Sequence, residues 1–146
     1  MLQRIQTVYL LIAAVASGSV FALPFFKGAA SNGASFFNDG LFDTQDHVSL
    51  MAMATIAILD AVMTVFLFNN RKRQGLFCLL VGAVNLLLIA VMFGVLSTQI
   101  PISEVFSKFQ LGLGSVMPLV ATVFALLARR SILADERLVR SADRLR

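Results

Sequence analysis

Residues 48–70 read VSLMAMATIAILDAVMTVFLFNN, an apolar stretch with a single acidic residue, Asp60, near its centre. Roughly 20 apolar residues are enough to cross the hydrocarbon core of a bilayer as an α-helix. An ionisable group at that depth costs about 2.5–3.5 kcal/mol on insertion scales, so it is by default a clue to function or assembly. The stretch therefore predicts a membrane-spanning helix with one polar group inside it.

The composition of the whole chain indicates a membrane protein. Of its 146 residues, 58% are hydrophobic and only 14% are charged, and the mean hydropathy is +0.85. Soluble domains carry about 25% charged residues, so the composition argues against a water-soluble globule. The length leaves room for four spanning helices and short loops. We therefore expect one integral membrane domain over residues 1–146, without a separate catalytic domain.

Four apolar segments of bilayer-scale length predict spans over residues 6–26, 48–69, 75–97 and 111–130, followed by a tail over 131–146. In this arrangement Lys27 and Lys108 are the only Lys or Arg residues on one side, and all other Lys and Arg residues fall on the opposite side. The positive-inside rule then places both termini and the turn 71–73 in the cytoplasm. The predicted fold class is all-α, a multi-pass four-helix transmembrane bundle with both termini cytoplasmic.

The first outer loop carries the signal of a tight turn. Aromatic residues in 35–37 and 41–43 flank the pair Asp39–Gly40, a pattern typical of a short β-hairpin. Thr44 or Asp46 follows, and we expect one of them to cap the second span.

The second outer loop is interrupted by Pro101. Beyond it, residues 103–109 place their apolar side chains on one helical face. This spacing predicts a short interfacial helix that leads into the fourth span.

A polar layer is predicted inside the bundle. Helical rise from the turn 71–73 puts Asp60 and Asn85 at a similar depth, roughly 15–20 Å from that turn. Ser17 in the first span and Pro118 in the fourth fall at a comparable depth, and the missing N–H of Pro118 predicts a kink. The predicted layer is therefore Ser17, Asp60, Asn85 and Pro118.

Two interpretations of this layer compete. In the first, Asp60 is protonated and donates to Asn85 or to a backbone carbonyl, which helps to hold the bundle together. In the second, Asp60 is the proton or cation site of a minimal transporter. The first is favoured, because no Lys, Arg, His or second acid accompanies Asp60 at this depth.

The C-terminal tail is predicted to be an amphipathic cytoplasmic helix, with Ala134, Leu138, Ala142 and Leu145 along one stripe. Its basic residues suit anionic lipid headgroups, and the alternative is a docking site for a cytosolic or membrane-protein partner. Nucleic acid is not an expected partner, because there is no folded basic domain. The predicted lipid or partner contacts are Arg4, Arg71, Lys72, Arg73, Arg137, Arg140, Arg144 and Arg146.

Three segments carry a resemblance to a known family: residues 1–10 (MLQRIQTVYL), 70–74 (NRKRQ) and 135–146 (DERLVRSADRLR). They resemble domain-of-unknown-function family 4293, small four-span inner-membrane proteins of Bacteroidota, and the resemblance covers essentially the whole chain. It implies a protein of the bacterial inner membrane. It brings no established activity and no site residues to carry over.

The sequence contains no nucleophile–base pair, no metal-ligand spacing and no phosphate-binding glycine loop. We therefore expect no enzymatic activity, no cofactor and no metal. The leading hypothesis is a scaffold or accessory subunit of a membrane assembly that contacts partners through its cytoplasmic ends. The alternative is a small proton- or ion-coupled transporter or channel subunit that uses Asp60. In that case we expect the protein to form a homo-oligomer.

Overall fold

The computed structural model of the chain describes residues 2–28, 39–98, 100–101, 105, 107 and 109–143. Within them the long elements are the helices α1 (Leu2–Ser19), α2 (Val48–Phe66), α3 (Arg71–Ser97) and α4 (Leu113–Asp143). A 3-10 turn, Leu67–Asn69, joins α2 to α3. The short strands are β1 (Phe26–Gly28), β2 (Leu41–Phe42) and β3 (Phe109–Leu111).

Some helix ends agree with the ends of the predicted spans and others do not. Helix α2 and the 3-10 turn occupy residues 48–69, and α3 begins in the basic turn at Arg71. Helix α1 ends at Ser19 rather than at residue 26. The chain then passes through a turn and Pro24, which disfavours helical backbone at Leu23, before it enters β1. The fourth predicted span and the tail form one continuous helix, α4.

Three of the helices, α2, α3 and α4, are long and apolar enough to cross a membrane, and α1 contains the shorter apolar helix Ile5–Ser19. The outward faces are apolar as well: Val15 is 71% exposed and Leu59 is 59% exposed. A water-soluble protein rarely exposes large continuous apolar surfaces. The helices therefore have the length and the surface expected of a membrane protein.

Each helix packs against two others: α1 contacts α2 and α4, and α3 contacts the same two helices. Small side chains fill the interior where they meet, among them Ala13 on α1, Ala57 and Ala61 on α2, and Ala125 on α4. Small residues let helix backbones approach closely, which strengthens van der Waals packing between membrane helices.

One end of the helices is closed by a three-stranded antiparallel sheet in the order β2-β1-β3; we call it the strand end. Phe26 of β1 pairs with Phe42 of β2, and both side chains are fully buried with Phe25. Strand β2 pairs with β1. Residues 35–37, the other arm of the predicted hairpin, lie outside the described residues, so the hairpin stays a prediction.

The second outer loop is only partly the predicted helix. Val105 and Ser107 are helical, whereas residues 102–104, 106 and 108 lie outside the described ones. Phe109, predicted as the last residue of that helix, instead begins β3 and pairs with Gly28. Residues 109–111 can form a strand only by pairing with β1, which is distant in sequence. The local sequence therefore does not predict this strand.

Two glycines let α4 begin directly against residues 23–25, in the segment between α1 and β1. The N–H of Gly112 donates to the Phe25 carbonyl at 2.8 Å, and that of Gly114 donates to the Pro24 carbonyl at 3.0 Å. A Cβ atom on Gly112 would lie 2.1 Å from the Pro24 oxygen, and one on Gly114 would lie 2.3 Å from the Leu23 oxygen. No larger residue fits this approach without moving the backbone.

The predicted cap of the second span was wrong. The N-cap of α2 is His47, whose Nδ1 accepts from the backbone N–H two residues later at 3.2 Å. The Thr44 hydroxyl instead donates to the Val20 carbonyl at 2.8 Å. The Asp46 carboxylate accepts from the Asp43 backbone N–H at 2.6 Å, so it stabilises the preceding turn.

Candidate functional site

A hydrogen-bonded pair, Ser17 and Asn85, lies in the interior and joins α1 to α3. The Asn85 Nδ2 group donates to the Ser17 hydroxyl at 3.2 Å and to the Val81 carbonyl at 2.9 Å. The Ser17 hydroxyl also lies 3.3 Å from Asn85 Oδ1. Both residues are fully buried, so this contact crosses the centre of the packed helices.

Asp60 is buried on α2 without a partner. Its exposure is 9%, and neither carboxylate oxygen has a hydrogen-bond partner among the described residues. The prediction that Asp60 donates to Asn85 or to a backbone carbonyl was wrong, because neither carboxylate oxygen makes a hydrogen bond to the described residues and Asn85 pairs with Ser17 instead. Buried polar side chains are normally hydrogen-bonded, so each exception calls for an explanation.

A chain of polar contacts runs from Asp60 towards the α2–α3 turn. One helical turn from Asp60, the Thr64 hydroxyl donates to the Asp60 backbone carbonyl at 2.8 Å. The Gln74 side chain of α3 in turn donates to the Thr64 backbone carbonyl at 3.2 Å. Thr64 and Gln74 are both buried, and they connect the level of Asp60 to the turn that carries Arg71.

Pro118 is buried in α4, but the helix continues through it. Its carbonyl accepts a hydrogen bond from the Thr122 hydroxyl at 2.8 Å, and the same hydroxyl lies 3.4 Å from the Gly82 carbonyl of α3. Within the predicted polar layer, the structure thus shows hydrogen bonds between Ser17 and Asn85. Asp60 and Pro118 are buried on the other two helices outside that pair.

The end opposite the strand end carries Arg71–Arg73 and Arg129–Arg137, and we call it the basic end. Arg71 at the start of α3 forms a salt bridge with Asp135 of α4 at 2.5 Å. The Gln6 side chain of α1 donates to the Ser131 backbone carbonyl of α4 at 3.2 Å. These two contacts hold the C-terminal part of α4 against α1 and α3.

A cavity of about 260 Å³ opens at the basic end, between α1 and the α2–α3 turn. Its lining combines one guanidinium, two carboxamides, one hydroxyl and one aromatic ring, from Arg71, Gln6, Gln74, Thr7 and Phe68. Gln6 and Gln74 are buried at 6% and 5% exposure. The cavity therefore combines polar and apolar surface and lies beside basic side chains.

The predicted basic contacts differ in exposure. Lys72, Arg73 and Arg137 are exposed, whereas the Arg71 side chain is 34% exposed and is engaged by Asp135. Arg4 lies in α1 and Arg140 in α4, but their side chains lie outside the described part, as do residues 144 and 146 entirely. The structure thus makes Arg71 part of an interhelical contact and leaves its two neighbours on the surface.

Sequence reasoning missed the polar residues that lie beside Arg71, namely Gln6, Gln74 and Asp135. A signal was present for Gln74, which follows Arg71 by three residues and therefore shares its helical face. No comparable signal exists for Asp135, because its partner is 64 residues away in the chain.

Comparison with known proteins identifies a family. The family model described as Domain of unknown function (DUF4293) matches residues 2–145. No curated protein matches the chain. No solved structure matches it either.

Proposed function

The chain belongs to the DUF4293 family, and we propose that it is an accessory subunit that scaffolds a membrane assembly and contacts partners through its basic end. The proposed topology is a four-helix bundle in the bacterial inner membrane with both termini cytoplasmic, so that the basic end faces the cytoplasm. The role involves no chemical reaction.

The observation that carries this proposal is the continuation of α4 beyond the basic pair Arg129–Arg130. The helix has 31 residues, which corresponds to about 46 Å at helical rise, against a hydrocarbon core of about 30 Å. Its last part is held by Arg71–Asp135 and Gln6–Ser131. A helix fixed in this way presents charged side chains, among them the exposed Arg137, at a defined position for a partner.

A pull-down with matched charge reversals tests the scaffold. Full-length protein is crosslinked in membranes and purified as the wild type, as Arg137→Glu at the basic end and as Lys27→Glu at the strand end. Both side chains are exposed, and both substitutions change the charge equally. The proposal expects a stoichiometric partner that Arg137→Glu loses and Lys27→Glu retains. Partner-free material, or equal loss in both variants, contradicts it.

A second candidate, a proton- or ion-coupled transporter or channel subunit, is favoured by one observation. Asp60 is buried with both carboxylate oxygens unpartnered among the described residues. A polar group that only stabilised the packing would be expected to have a hydrogen-bond partner, whereas a group that binds a proton or a cation is left available for it.

Flux measurements separate the two candidates. In reconstituted vesicles, a transporter that uses Asp60 loses pH-driven or ion-driven flux in Asp60→Asn and retains it in Asn85→Ser, which changes a neighbouring polar residue of the interior. Flux that is indistinguishable between wild type and Asp60→Asn rules out this candidate.

A further inference from the structure

The cavity at the basic end has the chemistry of an anion site, and we infer that it binds the phosphate group of an anionic phospholipid headgroup. Its volume of about 260 Å³ is below the range of about 300–1,000 Å³ that holds drug-sized ligands. It therefore suits a headgroup rather than a larger solute. Headgroup binding at this position does not require a protein partner.

Arg71 supplies the charge inside the cavity. Its Nη1 atom contacts Asp135, but a guanidinium carries five N–H donors in a planar fork. That fork matches the geometry of phosphate oxygens and forms bidentate contacts with them. Asp135 also fixes the side chain across the gap between α3 and α4, so its orientation is set before a ligand arrives.

Two carboxamides are fixed beside Arg71. Gln6 is anchored to the Ser131 carbonyl and Gln74 to the Thr64 carbonyl, each through Nε2 at 3.2 Å. Each amide nitrogen carries two hydrogens, so one such bond does not exhaust its capacity to donate. Groups that are already held in place lose little conformational entropy on binding, which favours affinity.

The surroundings of the cavity favour an anion over a neutral or zwitterionic group. Residues 71–73 and 129–137 of the basic end include six basic and two acidic residues: Arg71, Lys72, Arg73, Arg129, Arg130 and Arg137 against Asp135 and Glu136. Lys and Arg side chains near a membrane surface attract anionic lipids in general, without defining one binding site.

The apolar rim points to a lipid as the source of the phosphate. Phe68 lines the cavity and is 66% exposed. The next outward side chains along α2, Phe66 and Met63, are 67% and 55% exposed. A phospholipid satisfies both surfaces, because its phosphate lies at the level of Arg71 and its acyl chains meet the apolar side chains.

Native mass spectrometry of the full chain tests this site. The protein is loaded with phosphatidylglycerol or with phosphatidylcholine, and the lipid retained after delipidation is counted for each. We expect selective retention of phosphatidylglycerol, which Arg71→Gln weakens about tenfold, the loss expected for a charge-assisted contact. Arg130→Gln removes the same charge from an exposed position on the same end and is expected to change retention less than twofold.

A second variant keeps the test decisive if Arg71→Gln does not fold. Asp135→Asn removes the counter-charge but keeps a side-chain oxygen that can accept from Arg71 and hold its orientation, so phosphatidylglycerol retention should be equal or stronger. Equal losses in Arg71→Gln and Arg130→Gln, no preference between the two lipids, or weaker retention in Asp135→Asn each overturn the inference. Inorganic phosphate that binds lipid-free protein, with no retained phosphatidylglycerol, assigns the site to a soluble anion and overturns the lipid assignment.

Discussion

The Asn85 carboxamide of α3 is hydrogen-bonded to the Ser17 hydroxyl of α1 at 3.2 Å, and both side chains are fully buried. Helices α1 and α3 each pack mainly on α2 and α4, and α1–α3 is not one of the main helix pairs. The pair therefore adds a direct link between these two helices.

Removal of this pair should weaken the packing modestly and non-additively. Interhelical hydrogen bonds in membrane proteins contribute about 0.6 kcal/mol on average and about 1.7 kcal/mol at most. Ser17→Ala and Asn85→Ala should each lower the free energy of unfolding in detergent, and the double variant should lose less than the sum. Strictly additive losses in this double-mutant cycle would show that the two side chains do not interact.

Replacement of Asp60 by an apolar residue should stabilise the fold. An unsatisfied buried polar group costs about 1–3 kcal/mol, and truncation opens a small cavity that offsets part of the gain. We expect Asp60→Ala to raise the free energy of unfolding by about 1 kcal/mol, measured by denaturant titration in micelles.

Asp60→Asn is the matched control, because it keeps the shape and the polar atoms and should change stability less. A marked loss of stability in Asp60→Ala would mean that the carboxyl has a partner in the membrane, such as a second copy of the chain.

The strand end should not tolerate side chains at its two close glycines. A Cβ on Gly112 would lie 2.1 Å from a backbone oxygen, and overpacking of this kind costs typically about 1–3 kcal/mol. We expect Gly112→Ala to destabilise the protein by that amount in thermal unfolding. Gly94→Ala is the control, since a Cβ there meets nothing within 4 Å and alanine is the better helix former.

The salt bridge between Arg71 and Asp135 should protect the end of α4 from local opening and hydrogen exchange, with a smaller effect on the free energy of unfolding of the whole protein. The two side chains are 34% and 16% exposed, and partly exposed pairs contribute about 0–1 kcal/mol. Asp135→Asn should therefore speed hydrogen exchange in residues 131–138 with little change in the unfolding midpoint. The exchanged pair, Arg71→Asp with Asp135→Arg, should restore protection. Unchanged exchange in Asp135→Asn would contradict this account.

Acidification should strengthen the turn that contains Asp46. Burial raises the pKa of this carboxyl above the ordinary 3.8, the charges of Asp43 and Asp39 add to the rise, and the Asp43 N–H opposes it. Because the folded state binds this proton more tightly, the stabilisation is complete below the unfolded pKa of about 3.9 and is lost as the pH rises through the folded pKa.

The measurement is the difference in unfolding free energy between wild type and Asp46→Asn from pH 4 to pH 7. We expect the wild type to lose stability relative to the variant over this range. A difference that stays constant, or that grows in favour of the wild type, would be contrary to the raised pKa.

Helical rise placed Ser17 and Asn85 at a common depth, and the structure joins them. The same reasoning also placed Asp60 there but assigned it the wrong partner, because depth along a helix does not determine the direction in which a side chain points. The pairing of β1 with β3 and the contact between Arg71 and Asp135 depend on residues far apart in sequence. Local patterns carry no information on such contacts.

The two ends of the helices are held by different kinds of bonds. Backbone hydrogen bonds of the sheet and of Gly112 and Gly114 join the strand end, whereas side chains join the basic end through Arg71–Asp135 and Gln6–Ser131. Side-chain contacts can exchange partners with lipid or protein, but the sheet has to unfold to separate. Movement of α1 or α4 away from the other helices would therefore begin at the end where Arg71 lies, whereas α2 and α3 stay joined there by the turn Leu67–Asn69.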